Sequence, residues 1–215
     1  LNIELDKLNE NYFLRFNQDE INYHLEKFLS IKPEDNKNSI VHLKLMEDEG
    51  LMLLFIRTVM DFDTFSIITN NLVEKYLSIR DAKVIELNDG SCIYNFYMDT
   101  PKGDAYDIEN KVDSLINNLS LTLEKKQVAK KKKFKLSRRL RSFKTKTKVS
   151  FLVDHIHKRT VLEMVSIDRQ GLLVDISECL RRTNNWIESE KVATTGEKAE
   201  DDIYLMTDCE DSSRI

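Results

Sequence analysis

The residues best suited to chemistry are Asp168-Arg169-Gln170-Gly171-Leu172-Leu173, between a β-like run at 160–167 and a helical run at 172–182. A strand that turns directly into a helix must bend sharply, and glycine alone reaches positive φ freely. The first helical N–H groups then face outward unpaired, toward any carboxylate lodged there. Lacking a Cβ, Gly171 also leaves the backbone open to a ligand. The chemistry implied is non-covalent: capture of a small molecule with an α-carboxylate. Trp186 and Ile187, at the start of the next β-like run, complete the candidate ligand-binding set. The competing reading is an ordinary turn whose glycine closes the loop and binds nothing.

Other reactive residue types are sparse. His155 and His157 form an HxH pair that a strand would place on one face. A metal site needs further converging ligands, and no third candidate stands nearby, so a polar strand end is the better reading. Cys92, Cys179 and Cys209 are odd in number and form no CxxC pair, as expected of reduced thiols. No phosphate-binding G-x-x-x-x-G-K-[ST] loop and no nucleophile elbow occurs. Between 125 and 148 stand ten Lys and three Arg with no acid, while the rest of the chain holds 20 cations against 37 acids. A solvated linker beside an acidic body is favoured over a nucleic-acid-binding segment, because the belt has no spaced aromatic platform.

The elements that would position these residues follow from periodicity. A helix is expected over 11–30, with Asn17 as N-cap and Glu20 in capping-box position, and Ile21, Leu25, Phe28 and Leu29 on one face. His24 beside that stripe reads as a partly exposed helical histidine. Strands are expected at 40–46, 51–60, 79–87 and 92–98, with Asp89-Gly90 turning the last two as a hairpin. Helices at 64–75 and 106–123 carry apolar stripes. After the basic belt the order recurs, with strands at 148–153, 160–167, 186–194 and 202–207 and a helix at 172–182. The halves superpose at an offset of about 107 to 109 residues, so one ββαββ unit occurs twice. The expected class is α+β: two tandem ferredoxin-like units, circularly permuted, with antiparallel sheets and helices on one face.

The stretch from Thr160 to Asp208 resembles the last ACT domain of the bifunctional PII uridylyltransferase/uridylyl-removing enzymes. The likeness lies in Asp168-Arg169-x-Gly171-Leu172-Leu173, Ile187-x-Ser189-x-Lys191-Val192-Ala193-Thr194, Gly196-Glu197 and Tyr204-x-x-Thr207-Asp208. Tyr12-Phe13-Leu14-Arg15-Phe16 with Glu20-Ile21 and His24 is similar to that family's lead-in to its first ACT unit. The resemblance implies a helical lead-in over 1–36, a first ACT-like unit over 37–123, a basic linker over 124–147 and a second unit over 148–215. That second unit stops before its trailing helix, and the chain, which opens on Leu1, reads as a fragment. Two departures stand out. Gln170 replaces the family's usual proline, which should loosen the loop, and Thr64 falls where the first unit's glycine is expected, so that unit should bind weakly.

What the resemblance implies for function is regulation without catalysis. The only Gly-Ser pair, Gly90-Ser91, is followed by Cys92-Ile93-Tyr94 rather than by metal-binding aspartates, and no His-Asp dipeptide occurs. Two-metal phosphoryl chemistry needs converging carboxylates. This region is therefore expected to be inactive as an enzyme and to hold no cofactor, with Mg²⁺ expected only for a separate catalytic domain. The expected partners are L-glutamine or a similar small amino acid, the PII protein through the full-length enzyme, and ACT–ACT pairing, intramolecular or homodimeric. Neither a membrane nor nucleic acid is an expected partner, and the cytoplasm is the expected location. A remnant acting only in interaction or dimerisation is the alternative.

Overall fold

A computed structural model describes residues 8–30, 39–100, 105–126, 146–155, 159–195 and 198–206. Most of the basic belt, His157, Gly196 and Cys209 lie outside these residues, as do the side chains of Trp186 and Lys191.

Eight strands form one sheet in which every pairing is antiparallel: β1 (Ile40–Met46), β2 (Leu51–Val59), β3 (Ile79–Glu86), β4 (Ser91–Asp99), β5 (Lys148–Asp154), β6 (Arg159–Ile167), β7 (Trp186–Thr195) and β8 (Lys198–Met206). Their order is β1-β2-β4-β3-β7-β8-β6-β5. Each half is thus a four-stranded permuted ferredoxin-like sheet, its first strand occupying the edge that a trailing strand takes in the unpermuted order. The halves join through β3 and β7, with Asp81 opposite Lys191, Ala82 opposite Glu190 and Lys83 opposite Ser189. Ala82 and Glu190 mark a local pseudo-twofold axis.

Among the described residues, five helices cover the sheet: α1 (Glu10–Arg15), α2 (Gln18–Leu29), α3 (Phe62–Glu74), α4 (Ala105–Glu124) and α5 (Leu172–Arg182). Helices α3, α4 and α5 share one face. Phe65, Ile68 and Leu72 of α3, Leu115, Leu119 and Leu123 of α4, and Ile176 and Leu180 of α5 close over Leu54, Ile56, Leu162, Met164, Ile203 and Leu205 in a single core. Strand alternation, with its period of two, selects these sheet residues. Where α3 meets α5, the hydroxyls of Thr69 and Ser177 lie 3.1 Å apart on the same pseudo-axis, 108 residues apart in sequence.

The lead-in packs on the opposite face of the first half. Tyr12, Phe16, Tyr23 and Phe28 bury against Leu53, Phe55, Ile85 and Ile93, the alternate residues of the same strands. Full burial of each such aromatic is worth roughly 1.5–3 kcal/mol. The single helix expected over 11–30 is in fact two, broken at Phe16, whose backbone is extended. The cause is the capping box itself. Asn17 Oδ1 accepts the Glu20 N–H at 2.9 Å and Glu20 Oε2 accepts the Asn17 N–H at 2.7 Å, which starts a new helix there. Glu20 also bonds the Tyr97 hydroxyl and, at 2.8 Å, Lys83.

His24 corrects the reading of a partly exposed side chain, for it is fully buried. Its ring stacks on Phe55 with centroids 4.9 Å apart, Tyr12 Oη lies 2.8 Å from Nδ1 and Asn95 Nδ2 lies 2.9 Å from Nε2. Burial lowers its pKa to about 4, so the ring is neutral at pH 7.

A candidate ligand site between the two halves

The bend after β6 takes the form that its glycine allows. Gly171 has φ 78° and ψ 9°, in the left-handed region, and it caps α5 without any side-chain hydrogen bond. The Leu172 N–H donates to the Arg169 carbonyl at 3.1 Å and the Asp175 N–H to the Gly171 carbonyl at 3.1 Å. The N–H groups of Leu173 and Val174 find no partner among the described residues. Two donors at the positive end of an eleven-residue helix are therefore available to an anion.

These groups open onto a cavity of about 620 Å³. Asp168 to Val174 form one wall, Tyr76 to Arg80 of the first half form the other, and Asp99, Ala199 and Asp201 complete the lining. Its size falls in the range of small-molecule pockets, about 300–1,000 Å³. Gln170 spans the two walls, its Nε2 donating to the Val73 carbonyl at 3.1 Å. This glutamine thus tethers the loop to α3.

The cavity carries both signs of charge. Asp201 is buried, and desolvation, reinforced by Asp168 and Asp202, raises its pKa to about 6. Arg80 is engaged by Asp99 at 2.8 Å and Arg169 by Asp175. The buried Asp201 carboxylate favours a cation in this cavity, while the free α5 amides favour an anion. Tyr76, on the first wall, has φ 57°, and its pseudo-symmetric counterpart is Asn184 with φ 54°. Asparagine tolerates this conformation, whereas a tyrosine there costs on the order of 1–2 kcal/mol.

Of the eight candidate residues, the structure brings Asp168, Arg169, Gln170, Gly171, Leu172 and Leu173 together on this wall. Ile187 does not line the cavity but is buried in the helix-face core. Trp186 is described only through its backbone, which pairs with Met206. Sequence reasoning missed Tyr76, Arg80, Asp99 and Asp201. A signal existed for the last: Asp201 alternates with Ala199, Ile203 and Leu205, all buried, and an acid on that face needs a reason.

The symmetry-related corner of the first half differs. By the 108-residue spacing the counterpart of Gly171 is Asp63, not Thr64 as the sequence alignment read it. The preceding loop is shorter, so α3 starts at Phe62 with Asp61 as its N-cap. Asp61 Oδ1 accepts the Asp63 N–H at 2.9 Å, Lys126 Nζ lies 2.8 Å from Asp61 and Arg181 2.8–3.0 Å from its carboxylate partners Glu178 and Asp63. This helix start carries its own carboxylate. Thr64 is buried in the core.

Among the described residues, no three His, Cys, Asp or Glu side chains converge as a metal site requires, and His155 is exposed. No helix among them is long and apolar enough to cross a membrane.

No family model matches the chain. Curated relatives do. The chain is 30% identical over 199 residues to the bifunctional uridylyltransferase/uridylyl-removing enzyme of Vibrio cholerae, an alignment covering 93% of this chain and 22% of that protein. The enzymes of the same description from Photobacterium profundum and Idiomarina loihiensis are each 28% identical, over 92% and 91% of this chain and again 22% of their own length. Among solved structures, aspartate kinase from Synechocystis aligns over 77% of this chain and 25% of that one at 12% identity and a TM-score of 0.43, a likeness too loose to carry an argument. Over about nine-tenths of its length, this chain is similar to roughly one-fifth of the bifunctional uridylyltransferase/uridylyl-removing enzymes.

Proposed function

We propose that this chain is the amino-acid-sensing regulatory region of such an enzyme and takes L-glutamine, or a similarly small α-amino acid, in the cavity between its halves. The observation that carries this is the pairing of opposite features in one enclosure: free Leu173 and Val174 amides at the start of α5, and the buried Asp201 carboxylate. A zwitterion presents a carboxylate to the first and an ammonium to the second. Because the walls belong to different halves, a guest would favour one arrangement of the halves over others. Effects of this type are usually worth about 1–3 kcal/mol. In the longer enzyme this bias would act on the catalytic domains, where Mg²⁺ and the PII protein would bind; the chain described here would catalyse nothing alone.

A second reading is an interaction or dimerisation module without a ligand, and the exposed apolar strand β5 favours it. Calorimetric titration with L-glutamine separates the two. Saturable heat with one site per chain is expected for the sensor, since the first half's helix start is occupied by Asp61. Silence up to millimolar glutamine, with other α-amino acids also silent, would leave only the second reading.

A further inference from the structure

An α-amino acid seated on the Leu173 and Val174 amides and on Asp201 would turn its side chain to the rest of the cavity lining. Little of that lining carries available charge. Arg169 is taken by Asp175. What is left is Arg80 with Asp99, and Asp168, which acts on the Arg80 guanidinium through space.

Arg80 is set apart by its backbone. Ile79 pairs with Met98 and Asp81 with Tyr97, so Arg80 is an extra residue at a bulge in β3, a device that re-aims side chains. Its Nε donates to Asp99 Oδ1 at 2.8 Å. The contact stops at that one bond: neither Nη group nor Asp99 Oδ2 has a hydrogen-bond partner among the described residues. A guanidinium and a carboxylate joined by two parallel bonds would leave no carboxylate oxygen over, whereas this pair keeps both donors and an acceptor. The second half repeats the bulge between Ile187 and Ser189, but its extra residue is Glu188, whose carboxylate is held by Arg15.

A primary carboxamide fits what the pair leaves over. Its carbonyl accepts from a guanidinium N–H, and its NH₂ donates to the remaining carboxylate oxygen. A carboxylate of the same length satisfies only the first and meets Asp99 and Asp168 as like charges. An ammonium satisfies only the second and meets Arg80. The two side chains are 56 and 40% exposed, so their ion pair adds little to stability and a guest can bridge it at little cost.

We infer that the Arg80–Asp99 pair reads the far end of the ligand's side chain, admitting a neutral primary amide and disfavouring the corresponding acid. This role rests on the proposed capture of an α-amino acid in the cavity, and it assigns the choice between glutamine and glutamate to two residues of the first half.

Calorimetric titration of the full chain at neutral pH with L-glutamine and with L-glutamate tests it. The two ligands share their α-carboxylate and ammonium, so the ratio of their affinities isolates the side-chain end. The unsubstituted chain should favour glutamine on the order of tenfold or more. Asp99→Asn keeps the shape of the pair but removes its negative charge, and should narrow that ratio about tenfold, chiefly by strengthening glutamate. Damage to the fold would weaken both ligands and could not produce this gain. Arg80→Gln should move the ratio the other way, weakening glutamate more than glutamine. Glutamine bound with a ratio that neither substitution moves would overturn this role and leave the sensing reading standing. Silence toward both ligands and toward other α-amino acids, in the unsubstituted chain and both variants, would remove the two together.

Discussion

Arg15 and Glu188 meet on the sheet face opposite the cavity, at the junction of the two halves. The Arg15 guanidinium pairs with the Glu188 carboxylate and donates to the Glu188 carbonyl at 2.8 Å and the Val84 carbonyl at 3.4 Å. The β3–β7 ladder ends at Lys83 and Ser189, so the carbonyls just beyond it are held by an arginine from α1. The lead-in is therefore fastened to both halves at once, and anything that shifts one half against the other is felt at Arg15.

Removing that clamp should loosen the seam more than either half. Hydrogen bonds involving a charged partner are worth about 1.5–3 kcal/mol when half-buried, and Arg15→Ala loses several. We expect a stability loss of about 2–3 kcal/mol by urea unfolding. Amide exchange should accelerate in β7 around residues 186–190 while the centre of β2 stays protected. Uniform acceleration across both strands would mean that Arg15 supports the fold generally and is not a seam clamp.

Two buried groups make opposite contributions to stability as pH falls. His24 has a folded pKa of about 4 against an ordinary 6.5, so its contribution is full above pH 6.5 and is lost as pH falls toward 4. Asp201 has a folded pKa of about 6 against 3.8, so ionising it opposes folding and stability is regained as pH falls through 6. Between pH 7.5 and 5 the first costs about 2 kcal/mol and the second returns about 1.4 kcal/mol. The unsubstituted chain should thus show a shallow slope. His24→Gln should become more stable on acidification and Asp201→Asn less stable, as read by urea midpoints at the two pH values. Slopes of the same sign in both variants would refute the assignment.

Asp201 bears on binding as well. If it holds a ligand's ammonium, affinity for glutamine should be level above about pH 6.5 and should fall close to tenfold per pH unit below about 6. Asp201→Asn should remove this dependence along with most of the affinity, while raising the ligand-free melting temperature at pH 7.5. Calorimetry across pH 5–8 checks the first expectation and thermal unfolding the second. An affinity that Asp201→Asn leaves unchanged would remove this carboxylate from the site.

How much of this was legible in sequence depended on whether the cause was local. Asn17 and Glu20 are three residues apart, and their capping box was readable; that it would also break the preceding helix at Phe16 was not, because the burial of Phe16 is tertiary. The strands declared themselves as β-like runs bounded by turns such as Asp89-Gly90. Yet only the fold shows that each strand of the first half has a helical layer on both faces, which is why His24 was misjudged. The Gly171 wall of the cavity lay within six consecutive residues. Its facing wall, at Tyr76 to Arg80, lies about ninety residues away across a seam that no local pattern marks. The offset between halves aligned Thr64 with Gly171 by sequence likeness, whereas the Thr69–Ser177 contact fixes the register one residue away.

Gly171 offers the most direct test of the candidate site. Its φ of 78° is one that an L residue adopts at a cost on the order of 1–2 kcal/mol, so Gly171→Ala should lower stability by about that amount. Gly90, at φ 75° in the β3–β4 hairpin, provides the control. Gly90→Ala meets open space and should incur a similar conformational cost far from the cavity. If the bend orients the Leu173 and Val174 amides toward a ligand, the two variants should lose similar stability but only Gly171→Ala should lose glutamine affinity, by tenfold or more. Equal affinities in both would mean that Gly171 merely closes a turn, and the anion-binding part of the proposal would fall with it.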